Sequence, residues 1–230
     1  MRQFLASLLT LAAFATPVVA EGPVVVELYT SQGCSSCPPA DEMLLELADR
    51  PDVLALALHV DYWDYIGWAD AFADPAFTRR QQAYAKVAGS RSIYTPQMVI
   101  GGQDHVIGSK PMDVMELIEA HRDSKTEVQI ALHRDEGGLV ITGAAAAPFD
   151  ASAIVQVVRF VPQRTVDIQH GENAGKSIVY ANIVTEWRRV GHWSGARDLH
   201  LTVPGPDEGP VAVIVQERGP GAVLAAARLP

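Results

Sequence analysis

Cysteine is almost absent from this chain: 230 residues hold two, Cys34 and Cys37, both inside "TSQGCSSCPPAD", Thr30 to Asp41. Staples between distant segments, the usual role of cysteine in an oxidising compartment, are therefore excluded. A bridge between these two closes so small a loop that it removes little unfolded-state entropy. Positive charge is scarce as well. Against 18 Lys+Arg stand 27 Asp+Glu, a formal net charge of −9, and such a surface repels nucleic acid and anionic lipid. Beyond the first twenty residues no apolar run is long enough to span a bilayer. A second CxxC is missing and the histidines show no metal spacing, so a four-ligand zinc site has no complete donor set. There is no internal repeat, and no low-complexity tract apart from the alanines at 144–147. What remains, 48% hydrophobic and 20% charged, is the composition of a globular protein long enough for one large domain or two small ones.

The first twenty residues, "MRQFLASLLTLAAFATPVVA", open with Arg2, continue through an apolar stretch from Phe4 to Ala15 and close on the small residues Val18 and Ala20. This pattern predicts a secretory signal cleaved after Ala20. The apolar stretch is shorter than the roughly 20 residues of a membrane anchor and runs into Pro17. Cleavage removes Arg2 and no acid, leaving a formal charge of 17 − 27 = −10. The expected location is periplasmic or secreted, with no membrane span after signal removal.

Between Pro23 and about Arg122, short β-rich runs alternate with helical stretches. "VVVELY" (Val24–Tyr29) reads as a strand. "PPADEMLLELADR" places Met43, Leu44 and Leu47 at helical spacing, with Asp41 and Glu42 in the first turn, where they favour the helix dipole. "VLALALHV" (Val53–Val60) is the continuous apolar run of a strand covered on both faces. Asp74 followed by Pro75 caps a helix running to about Val87 and stopping at Gly89. "QMVI", "GGQ" and "DHVIG" read as a hairpin, and Ser109 and Pro111 open a last helix with Val114, Met115, Leu117 and Ile118 facing inward. The order is βαβαββα, whose right-handed crossover makes the first two strands parallel and brings their carboxyl ends to one sheet edge. From about Thr126 short alternating runs replace the helices: "EVQIALH", "LVITGAA", "AIVQVVRFV", "TVDIQ", "SIVYANIVTEW", "RDLHLTV", "VAVIVQE" and "AVLAAARL". Seven or eight strands of an antiparallel sandwich are expected. The expected organisation is a signal over 1–20, an α/β domain over 21–124 and an all-β, sandwich-like domain over 125–230.

Cys34 sits just ahead of a helix whose first turn holds Pro38 and Pro39, so unpaired N–H groups and the positive dipole end are expected near its sulfur. That setting lowers a thiol from its usual pKa of about 8.5 by one to several units. The sequence thus predicts Cys34 as the nucleophile on a substrate disulfide, with Cys37, one helical step inward, resolving the mixed disulfide.

A second signal is "YTPQMV". Thr95-Pro96 just before a strand, with a CxxC between the first strand and helix, resembles the cis-proline segment of thioredoxin-fold proteins. The resemblance implies that Pro96 lies at the same sheet edge as Cys34 and that the Thr95 backbone is open to an extended substrate. It also implies that Glu27, a carboxylate in an apolar strand, relays the proton of the inner cysteine. "HVDYWDYIGWAD" (His59–Asp70) leaves the same edge and serves either as a rim over Cys34 and peptide-binding surface or as packing against the second half. Across both halves the chain resembles a family of exported bacterial thioredoxin-like proteins catalogued as domain of unknown function 1223, through "VELYTSQGCSSCPPAD", "LALHVDYWDYIGW", "TRRQQAYA", "YTPQMVI" and "GENAGKSIVYANIV". It departs from the classical thioredoxin pattern in having Gln32-Gly33 in place of the tryptophan before the first cysteine, and in its appended second half.

The expected activity is that of a periplasmic thiol–disulfide oxidoreductase acting on protein thiols or disulfides with a redox partner protein and no other cofactor. Two rival readings remain open. One is a copper(I) carrier using Cys34, Cys37 and His59, since thiolates select Cu(I); the other is a thioredoxin-fold interaction module with an idle CxxC. "GENAGKS" (Gly171–Ser177) is not a phosphate-binding loop, because that motif needs four residues between its first glycine and Gly-Lys-Ser and only Glu172, Asn173 and Ala174 stand here. It reads as a tight turn between strands that contacts the first half.

Overall fold

The computed structural model describes residues 22–124, 127–204 and 208–230. The expected signal over 1–20 lies outside the described residues. No helix among the described residues is long and apolar enough to cross a membrane.

The first half forms β1 (Val24–Thr30), α1 (Pro38–Ala48), β2 (Val53–His59), a 3-10 turn at Asp64–Ile66, α2 (Pro75–Val87), β3 (Gln97–Ile100), β4 (Asp104–Ile107) and α3 (Pro111–Asp123). β1 and β2 are buried at every residue because both sheet faces are covered, which is why they read as unbroken apolar runs. They pair in parallel from Val24↔Val53 to Thr30↔His59, and β3 runs antiparallel to β1 with Tyr29 opposite Gln97. Asp74 caps α2 by accepting the Ala76 N–H at 2.7 Å. Gly89, at φ +68°, ends the same helix in the left-handed region that favours glycine.

The second half supplies β5 (Val128–Asp135), β6 (Gly138–Ala145), β7 (Ala153–Asp167), β8 (Ser177–Trp193), β9 (Leu199–Val203), β10 (Val211–Gln216) and β11 (Val223–Leu229). Four of these continue the sheet of the first half, giving an eight-stranded order β11-β10-β7-β8-β2-β1-β3-β4; β5, β6 and β9 make a separate three-stranded sheet. The molecule is thus mixed α/β with one large, mostly β sheet crossing the position near residues 123–126 where the pattern changes. "AIVQVVRFV" and "TVDIQ", expected as separate strands, are one strand, β7. Pro162 does not break it, because it falls at an unpaired position between Val161↔Ile183 and Gln163↔Ala181, opposite Asn182 at φ +45°.

Strand parity distributes the core. Val25 and Tyr29 face α2 together with Val158, Phe160, Ala212 and Ile214. Val24, Val26 and Leu28 face α1 and α3 with Leu44, Leu47, Val114 and Ile118. Beside those helices, on the same face, the three-stranded sheet covers β7 and β10 through Leu139, Ile141, Val155, Val157, Val213 and Trp193.

Candidate functional site

Cys34 and Cys37 are joined in a disulfide in the loop between β1 and α1. Ser35 and Ser36 are exposed, whereas Cys34 is 1% and Cys37 0% exposed. The first turn of α1 does not itself supply the free N–H groups expected near the sulfur. Pro38 and Pro39 have none, the Ala40 and Asp41 N–H groups donate to Cys37 O at 2.8 and 3.1 Å, and those of Cys34 and Cys37 donate to Ser31 O and Cys34 O. The Ser36 hydroxyl lies 3.4 Å from Cys34 Sγ.

Thr95-Pro96 lies beside the carboxyl end of β1, where this loop begins, because β3 is antiparallel to β1, and the Thr95–Pro96 bond is cis. Trp63 ties the two segments together. Its Nε1–H donates to Thr95 Oγ1 at 2.7 Å, while a β-carbon at Gly33 would meet Trp63 Cβ and its carbonyl oxygen at 3.2 Å. A side chain at position 33 would require Trp63 to give way by a few tenths of an ångström. The aromatic loop therefore has two roles: Trp63 borders the cysteine loop, and Trp68 donates to Gln32 Oε1 at 2.7 Å while facing His170 of the second half. Tyr65, at 82%, is exposed at its tip.

"GENAGKS" does contact the first half. Asn173, 1% exposed, donates through Nδ2 to both Gln32 O and Cys34 O at 2.9 Å, and Lys176 Nζ donates to Asn173 Oδ1 at 2.8 Å. Gly171, at φ +76°, brings this loop against Trp68. The sequence pattern assigns Asn173 no role; its one signal there is an asparagine at the centre of a turn bounded by Gly171 and Gly175.

Glu27 does not lie beside Cys37. Together with Val25 and Tyr29 it faces α2, on the opposite side of the sheet from α1. Its Oε2 accepts from Tyr29 Oη at 2.9 Å and Arg80 Nε at 2.7 Å, and its Oε1 accepts from Arg80 Nη2 and Tyr84 Oη, both at 2.7 Å. The relay role implied for Glu27 is corrected accordingly: a one-residue step along a strand changes the face. The Arg80 guanidinium also stacks 3.8 Å over Trp187, and desolvation together with Glu27 pushes the Tyr84 hydroxyl up.

On the α1 face a different set gathers. Thr30 Oγ1 donates to Asp41 Oδ1 at 2.7 Å, and His59 Nδ1 lies 2.7 Å from Asp70 Oδ2, which also accepts the Gln32 N–H at 2.8 Å. Tyr180 of β8 packs edge-on against His59 with ring centroids 4.9 Å apart. Asp41, expected as a first-turn dipole partner, is 2% exposed, and burial pushes its carboxyl up to about 7 against the opposing effects of His59 and the Thr30 hydrogen bond. Burial, with the Asp41 and Asp70 carboxylates adding to it, raises the Tyr180 hydroxyl. Asp41 Oδ2, His59 Nε2 and Tyr180 Oη are all buried without a hydrogen-bond partner among the described residues. Cys37-x-x-x-Asp41 was the legible signal, since an i, i+4 pair shares a helix face.

Among the described residues no three His, Cys, Asp or Glu side chains are grouped to hold a metal ion. Cys34, Cys37 and His59 do not form a ligand set here: the sulfurs are bonded to each other and His59 Nδ1 is engaged by Asp70.

The chain matches the family described as "Protein of unknown function (DUF1223)" over residues 25–216, and it belongs to that family. The crystal structure of protein AGR_C_4864 from Agrobacterium tumefaciens is similar at 32% identity, covering 91% of this chain and 95% of that one with a TM-score of 0.79. HBP35 of Porphyromonas gingivalis is similar in fold, at 13% identity and a TM-score of 0.61, covering 91% of this chain and 75% of that one. No curated protein matches.

Proposed function

We propose that this chain is an exported thiol–disulfide oxidoreductase with a thioredoxin-like first half, acting on protein thiols or disulfides. The observation that carries the reading is the placement of the Cys34–Cys37 pair between β1 and the amino end of α1, beside the Thr95-Pro96 segment to which Trp63 ties it. In the dithiol form, Cys34 thiolate attacks a substrate disulfide, forming a Cys34–substrate bond and expelling one substrate thiolate. Cys37 then attacks Cys34 Sγ, the intramolecular disulfide forms, and the second substrate thiolate leaves with its electron pair. The protein dithiol is oxidised by two electrons and the substrate disulfide is reduced by two. A partner dithiol protein resets the site by reducing the Cys34–Cys37 bond and becoming a disulfide itself, and no resident cofactor is required.

Burial of Cys34 favours a second reading, in which the bridge holds the loop and does not turn over. The two are separated with the C37A variant, which retains the first attack and lacks the resolving one. Under the oxidoreductase reading it accumulates mixed disulfides through Cys34 in its native compartment, visible as thiol-sensitive adducts on gels. Absence of adducts, with an intact bridge in the wild-type protein that resists a glutathione buffer, would leave the structural bridge standing.

A further inference from the structure

The disulfide exchange proposed above requires a proton to leave Cys37 before it can attack, and on that reading we infer that the Asp41 carboxyl is the group that takes it. Cys37 and Asp41 are one turn apart on the same helix face, where Cβ atoms are about 5–6 Å apart. The Asp41 N–H donates to Cys37 O at 3.1 Å, which fixes this register. One carboxyl oxygen is committed to Thr30; the other, Oδ2, is buried and has no partner among the described residues. An acceptor left open in a buried site is costly unless it is used.

Four segments bring polar groups to Asp41. β1 brings Thr30, β2 brings His59, the loop after β2 brings Asp70, and β8 brings Tyr180. Among the described residues no Lys or Arg pairs with Asp41, in contrast to Glu27 on the other face. With its carboxyl at about 7, Asp41 changes protonation where a thiol needs an acceptor at neutral pH. His59 Nε2 and Tyr180 Oη, also buried and open, extend the site toward β8, so the second half of the chain supplies part of it.

In the resolving step the Cys37 S–H bond breaks and its proton passes to the Asp41 carboxylate. The Cys37 electron pair forms the bond to Cys34 Sγ, and the substrate thiolate departs with the pair of the broken disulfide. When the protein is reduced by a partner dithiol, Asp41 returns the proton to Cys37.

The test uses reduced full-length protein and an aromatic disulfide that releases a coloured thiolate at each step: first on attack by Cys34, then on resolution by Cys37. D41N is expected to leave the first release within about twofold and to slow the second by at least about 100-fold near pH 7, the usual contribution of a general base. The wild-type second phase should show an inflection near pH 7 that D41N lacks. T30V, which removes the hydrogen bond that favours the ionised carboxyl, should move that inflection upward, and it decides the matter if D41N does not fold. A second phase unchanged by D41N across pH 5–9, or an inflection that T30V does not move, overturns the assignment. If the wild-type protein gives no first release, the oxidoreductase reading fails and this inference falls with it.

Discussion

Two buried polar clusters lie on opposite faces of the same strands and differ in how completely their hydrogen-bonding capacity is used. On the α2 face, Glu27 receives four hydrogen bonds from Arg80, Tyr29 and Tyr84, and Gln216 continues the network to Tyr84 and Gln156. On the α1 face, Asp41, His59 and Tyr180 each keep a buried polar atom open. A saturated cluster with its charge paired resists change and holds elements together; an unsaturated one behind a disulfide has spare capacity for a proton. Burial of a carboxylate is common to both sites, so burial does not separate them. The partners do.

The comparison is broken most severely at Arg80. R80A leaves Glu27 buried without its counter-charge and is expected to cost about 3–5 kcal/mol of stability in urea titrations. Alkylation of reduced Cys34 in the folded fraction should keep its wild-type rate, because the affected network lies across the sheet. A large change in that rate would erase the distinction between the faces.

The α1 face should reveal itself through pH. Asp41 has its carboxyl raised from the ordinary 3.8 to about 7, so between those values the folded state holds a proton that the unfolded state has released. Stability contributed by this group is therefore present below pH 4 and lost as pH rises through 7, by at most about 4 kcal/mol. Urea midpoints of D41N should lack this decline, so that relative to wild type the variant gains stability from pH 4.5 to pH 8. Parallel pH profiles for the two proteins would contradict it.

Legibility followed the locality of the cause. The three helices and four strands of the first half were readable because capping residues, prolines and apolar spacing act within a few residues, as at Asp74-Pro75 and Gly89. The cysteine loop and Thr95-Pro96 were readable as motifs. Glu27 was misplaced because the face of a strand residue depends on which neighbours its parity meets, and parity shows nothing when every position of β1 is buried. Asp41 resembled a solvent-facing dipole partner until β8 covered it. The continuity of the large sheet was not legible, since β2 meets β8 through pairing between segments distant in sequence.

The smallest effect expected concerns the junction of the two halves at the site. N173A removes the donor to Gln32 O and Cys34 O and should cost about 1–3 kcal/mol. It should also speed reduction of the disulfide by a small thiol several-fold, measured by the appearance of free thiol, because the loop loses its clamp. An unchanged reduction rate would mean that Asn173 fixes the backbone without controlling access to the sulfurs.

The place of β8 beside β2 imposes an order in time. A chain made from its amino end presents β2 with one ladder of hydrogen-bonding groups unclaimed long before β8 exists, and such an edge is the kind that recruits foreign strands. Asn182 Nδ2, which donates to Ala55 O at 2.9 Å, closes part of that edge only when the later segment arrives. Until then the cysteines, already synthesised, stand in a loop that nothing from the second half yet covers. Their first encounter with an oxidant can therefore precede completion of the fold that buries them.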